Sequence, residues 1–142
     1  MSENASIPLP VAASSKPLFR SHILLQIITD LLTSHAPFKE INVPLEELLY
    51  QFENHLLYDL GNTFYEEAVF ENPWLTRATE TLKQQQIEVE HALYQLRRSS
   101  QIGNQAETPT SDFRKQFKEF MDTFSEHEAN IQTFMQSMHT VY

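Results

Sequence analysis

The chain reads as an all-α protein, an antiparallel up-down-up-down four-helix bundle, and three observations predict it. Apolar residues recur at alternating steps of three and four along four successive segments, which is the period of one helix face. Only two glycines occur in 142 residues, too few for the many turns of a β-rich fold. The connections between the segments are short, and short connections make consecutive helices antiparallel neighbours. Ten Phe and five Tyr, within an apolar content of 41%, supply the bulk for one core.

Each element has its own punctuation. The first sixteen residues, MSENASIPLPVAASSK, are interrupted by proline and lack both a basic start and a long apolar run. They are expected to form a flexible tail rather than a signal peptide, with the bundle occupying 17–142. A first helix is predicted from about Leu18 to Ser34, its face carrying Leu18, His22, Leu25, Thr29 and Leu32, widened by Leu24, Ile28 and Leu31. Pro37 closes it. Pro44 suits a first turn, so a second helix is predicted from there to about Phe70, with Leu45, Leu48, Phe52, His55 and Asp59 on its seam. Asn72 followed by Pro73 reads as a cap and first helical position. Leu75, Ala78, Leu82, Gln86, Val89, Leu93 and Leu96 then define a third helix ending near Ser100. After a polar loop, Thr110 or Ser111 caps a fourth, whose stripe is Phe113, Phe117, Phe120, Phe124, His127, Ile131, Phe134 and Met138.

Composition excludes several functions. A net charge of −9 with no basic face argues against nucleic acid and against acidic membrane surfaces. The absence of cysteine removes disulfides, thiolate metal sites and cysteine nucleophiles. No apolar run approaches the ~20 residues that span a bilayer, so a cytoplasmic protein is expected. No nucleophile–base constellation, phosphate-cradling glycine loop or paired-carboxylate cleft is visible, which leaves hydrolase and transferase roles without support and favours a non-enzymatic role.

The chemistry-bearing feature is a set of imidazoles on apolar faces. His22, His55 and His127 each fall within a helical stripe on a different predicted helix, and Asp59 follows His55 by one turn. Counting from the predicted helix ends brings these positions, and Gln86, to roughly one depth. An imidazole in an apolar seam must be hydrogen-bonded, buried neutral or metal-bound. Helical bundles build metal sites by aiming such side chains inward from several helices. Three nitrogens from His22, His55 and His127 with one oxygen from Asp59 would suit a single divalent ion. Without metal, His55 and Asp59 could instead form a buried hydrogen-bonded pair, with His127 and Gln86 as polar neighbours.

Leu18-Phe-Arg-Ser-His22, Phe52-Glu-Asn-His55-Leu-Leu-Tyr-Asp59 and Phe124-Ser-Glu-His127-Glu together resemble the hemerythrin-like (HHE cation-binding) family over most of the chain. The resemblance implies a four-helix bundle with a non-haem, usually di-iron, centre that binds dioxygen or a related small ligand. Asp59 stands where that family bridges its metals with glutamate. Two departures reduce the ligand set: Gln86 occupies the third-helix histidine position, and Ile131 follows His127 where a carboxylate is expected. The resemblance therefore implies one iron, or another divalent metal, at His22, His55, Asp59 and His127. The alternative is a metal-free bundle serving as a structural or protein-interaction module. A homodimer through Phe64, Tyr65 and Phe70 is a further expectation.

Overall fold

The computed structural model describes residues 15–54 and 62–139, with side chains described from 20 to 54 and from 65 to 138. Every regular element among the described residues is helical: α1 (Ser15–Thr33), α2 (Phe38–Asn54), α3 (Asn62–Glu71), a 3-10 turn (Pro73–Leu75), α4 (Thr76–Ile102) and α5 (Ser111–His139). The all-α expectation holds. The helices divide into two compact units at Gly61/Asn62. The expected tail lies outside the described residues up to position 14, and α1 takes in Ser15 and Lys16.

In the first unit α1 and α2 pack together across a short turn. The turn is a Schellman motif. The Ala36 N–H bonds the Leu31 carbonyl at 2.9 Å, and the His35 N–H bonds that of Leu32 at 3.2 Å. These two bonds satisfy carbonyls that a helix end leaves open. The motif needs a left-handed residue, and His35 fills that position with φ 59°. Ala36 is buried, closing the corner over the helix end.

The second helix starts earlier than predicted. The Glu40 N–H already bonds the Pro37 carbonyl at 3.0 Å, so Pro44 lies inside α2 rather than in its first turn. An interior proline removes one backbone bond and costs about 3 kcal/mol. The cost is offset because α2 buries Phe38, Ile41, Leu45, Leu48, Leu49 and Phe52, each contributing roughly 1.5–3 kcal/mol. Against this face α1 buries Ser21, Leu24, Leu25, Ile28 and Leu32. Outside the seam, Arg20 grips Glu47 through two hydrogen bonds, Nε to Oε2 at 2.6 Å and Nη2 to Oε1 at 2.8 Å. Both side chains are largely solvated, so this pair orients more than it stabilises.

In the second unit α3 buries Tyr65 and Ala68 and leaves Glu66, Glu67 and Phe70 exposed. The expected use of Tyr65 as an exposed dimer contact is corrected here, since its ring meets Phe134 edge-on at 6.1 Å. Asn72 supplies no side-chain cap. The chain passes instead through the 3-10 turn, and α4 begins at Thr76, whose hydroxyl donates to the Pro73 carbonyl at 2.7 Å. The helix then buries Thr79, Leu82, Val89, Leu93, Leu96, Ser99 and Ser100.

At its end Gly103 approaches the Ser99 carbonyl so closely that a Cβ would sit 3.2 Å from it. The Phe113 N–H is capped by Thr110 Oγ1 at 3.0 Å, which selects Thr110 from the two expected caps, Thr110 and Ser111. From there α5 buries Phe113, Phe117, Phe120, Phe124, His127, Phe134 and Met135. Two cross-links fix the register of α4 on α5. Ser99 donates to Asp112 at 2.6 Å, and Gln85 pairs with His127 at 3.2 Å. Moving back fourteen residues on α4 moves forward fifteen on α5, as an antiparallel pair requires.

Replacing His35 by glycine removes the left-handed strain of a side chain at the Schellman position. His35→Gly is expected to raise stability by about 0.5–1 kcal/mol, read as a higher denaturation midpoint at unchanged slope.

Candidate functional site

His127 is the one site residue the structure places in a described core. It sits on the apolar face of α5, one turn beyond Phe124, and is 6% exposed. Burial lowers its pKa to about 4, so the ring is neutral at pH 7. With the Gln85 carbonyl oxygen as acceptor, Nδ1 carries the proton and Nε2 the lone pair. Such a ring can accept a further hydrogen bond or coordinate a cation through Nε2. A fixed N–H partner on the other nitrogen is also what orients metal-bound histidines.

The partner is Gln85, not Gln86. One residue is about 100° of helix rotation, and that rotation separates two roles. Gln85 reaches His127 across the helix pair, while Gln86 donates to Glu90 on its own helix at 3.3 Å. Leu82, Gln85 and Val89 also follow steps of three and four, so the pattern that pointed to Gln86 is equally satisfied by its neighbour. Gln85 further lines a polar cleft of about 450 Å³ with Arg77, Glu80 and Glu126.

The other expected ligands are placed differently. His22 is exposed. The buried arc of α1 centres near Ile28, and His22 lies roughly 100° off it on the flank. The cause is packing: α1 carries apolar side chains over a wide arc, and the face presented to α2 selects Ser21, Leu24 and Ile28 over His22 and Thr29. His55 and Asp59 lie outside the described residues. Among the described residues no group of three or more His, Cys, Asp or Glu is arranged to hold a metal ion. His91 is exposed and lies 3.5 Å from the Gln95 amide.

A second feature was not anticipated. The face of α4 opposite its core carries Ile87, His91, Tyr94, Arg98 and Ile102 at steps of four, three, four and four. Ile87, Tyr94 and Ile102 are 59%, 60% and 71% exposed. The spacing keeps all five on one helix face, with apolar residues at three of the five positions. Beside it runs a groove of about 530 Å³ between α4 and α5, bordered by Glu88, Gln95 and Glu119. The sequence held this signal, but α4 carries two apolar stripes, and the richer one with Leu82, Val89, Leu93 and Leu96 drew the assignment.

No known protein family matches the chain, and no characterised protein or solved structure is significantly similar to it. No helix among the described residues is long and apolar enough to cross a membrane.

The buried neutral histidine makes stability depend on pH with a definite sign. The unfolded ring titrates near 6.5 and the folded ring near 4, so between those values the unfolded chain binds more protons. His127 therefore contributes stability that is complete above pH 6.5 and is lost as pH falls toward 4, by roughly 3 kcal/mol in all. His127→Gln should flatten the slope over that window by up to one proton, measured by denaturant unfolding at several pH values.

Proposed function

We propose that the chain is a helical interaction module that works through the outer face of α4. The observation carrying this reading is the row of Ile87, Tyr94 and Ile102, each more than half exposed, on one line of one helix. Isolated exposed apolar residues need no explanation. A row at coiled-coil spacing over about 22 Å of helix is a contact surface in wait of a partner. His127 fits this reading as a core residue satisfied by a neutral amide, with no charge to balance.

The orientation of the same ring supports a second reading, a hemerythrin-like antiparallel up-down-up-down four-helix bundle. In it Nε2 of His127 serves as one ligand to an iron or other divalent ion shared with His22, His55 and Asp59, for binding dioxygen or a similar small molecule. It would require His22 to leave its exposed position on the flank of α1. The supporting feature is the Nδ1–H held by Gln85.

Two measurements separate the readings. Ile87→Ser, Tyr94→Ser and Ile102→Ser combined should leave helicity intact and Tm within about 2 °C, because exposed side chains contribute little to the fold. A large drop in Tm would make these residues structural and end the first reading. For protein grown with iron, chelator should leave Tm unchanged. A clear loss, together with near-stoichiometric metal that disappears in His55→Ala, would establish the second reading, since a metal held only by the folded state stabilises it.

A further inference from the structure

We infer that the partner of this face is a second copy of the chain, with α4 lying antiparallel on α4 of the partner about a two-fold axis at Tyr94. The inference rests on the interaction-module reading and names its occupant. Charge is distributed unevenly along the stripe. Its first half carries Glu88 and Glu90, and its second half carries Arg97 and Arg98. Glu88, Glu90 and Arg98 are exposed, and Arg97 is half-buried beside them.

Two copies laid parallel would set carboxylate against carboxylate and guanidinium against guanidinium. Reversed about Tyr94, the same row is complementary to itself. Position 90 then faces 98 of the partner, and 98 faces 90. Ile87 of each copy comes within one residue, about 1.5 Å along the axis, of Ile102 on the other, and the two Tyr94 rings meet at the centre. A closed two-fold contact requires this reciprocity, in which residue i meets j and j meets i. Each apolar end is thereby covered, and Glu90 of each copy meets Arg98 of the other.

The groove beside Ile87 and His91 adds a recess along the same edge, into which side chains of the second helix can reach. The contact is of modest size. Four turns of one helix against another fall below the ~1,200 Å² of a stable interface, in the range of reversible association. The copies also carry −9 each, which opposes approach at low ionic strength. Monomer and dimer should therefore exchange as concentration changes.

Sedimentation of the full chain from micromolar to millimolar concentration tests this. The native protein should move from one chain to two, and Tyr94→Glu, which sets two carboxylates together on the axis, should remain a single chain throughout. Glu90→Arg and Arg98→Glu should each weaken association by about tenfold or more, and the two together should restore it. Rescue cannot arise within one helix, because positions 90 and 98 are two turns, about 12 Å, apart. Circular dichroism of each variant confirms that it is folded. A native chain that stays single at every concentration overturns the self-pairing, while a folded triple-serine variant would leave the interaction module standing for a different partner. A dimer that ignores Tyr94→Glu, or charge variants without rescue, equally overturns the antiparallel pairing.

Discussion

The seam between α4 and α5 is the constraint on which the second unit depends. Phe113, Phe117, Phe120 and Phe124 sit on one line of α5 and are all buried, with Phe113 and Phe117 stacked at 6.3 Å and Phe120 and Phe124 at 6.2 Å. At roughly 1.5–3 kcal/mol for each buried large side chain, this row outweighs any polar contact in the unit. A helix so loaded on one side can be rotated very little without exposing aromatic surface. That rigidity sets the other consequences: which polar residues fall inside, and which apolar residues of α4 are left outside.

His127 follows from it directly. Its position continues the phenylalanine row, so the imidazole enters the core whether or not a ligand awaits it. Once there it must be neutral and paired, and Gln85 answers both needs with an uncharged oxygen. Asp112, at the other end of the same helix pair, shows the contrasting case. It is exposed and held below the usual carboxylate range chiefly by the Ser99 hydroxyl, with Gln116 and Lys115 adding to it. One end of the hairpin is thus tied by a solvated, charged contact and the deeper layer by a neutral one.

The face of α4 turned away from α5 is one place where the chain departs from what solubility alone would choose. A helix that packs on one side is ordinarily charged on the other. Here isoleucine and tyrosine recur among glutamate and arginine, with opposite charges gathered at opposite ends of the row.

How much of this was legible in the sequence varies element by element. The phenylalanine stripe of α5 is legible without ambiguity, because each position repeats at helical spacing and no competing face is apolar; its cap is narrowed only to Thr110 or Ser111, and the structure selects Thr110. Pro44 fits a first turn locally and so points to a late start of α2, whereas the burial of Phe38 and Ile41 extends the helix back to Phe38. His22 looked internal because α1 is apolar over a wide arc, and periodicity cannot rank positions within such an arc. The same ambiguity exchanged Gln86 for Gln85. His55 and Asp59 lie outside the described residues.

Periodicity, proline and glycine by themselves determined that the chain is helical and which stripe of α5 faces inward, since these are local consequences of backbone geometry and hydrophobicity. Only the tertiary structure decided the rotation of each helix about its own axis, because that angle is chosen by the surface packed against it. A turn of 100° is invisible to spacing, yet it moved His22 to the outside and brought Gln85 to His127.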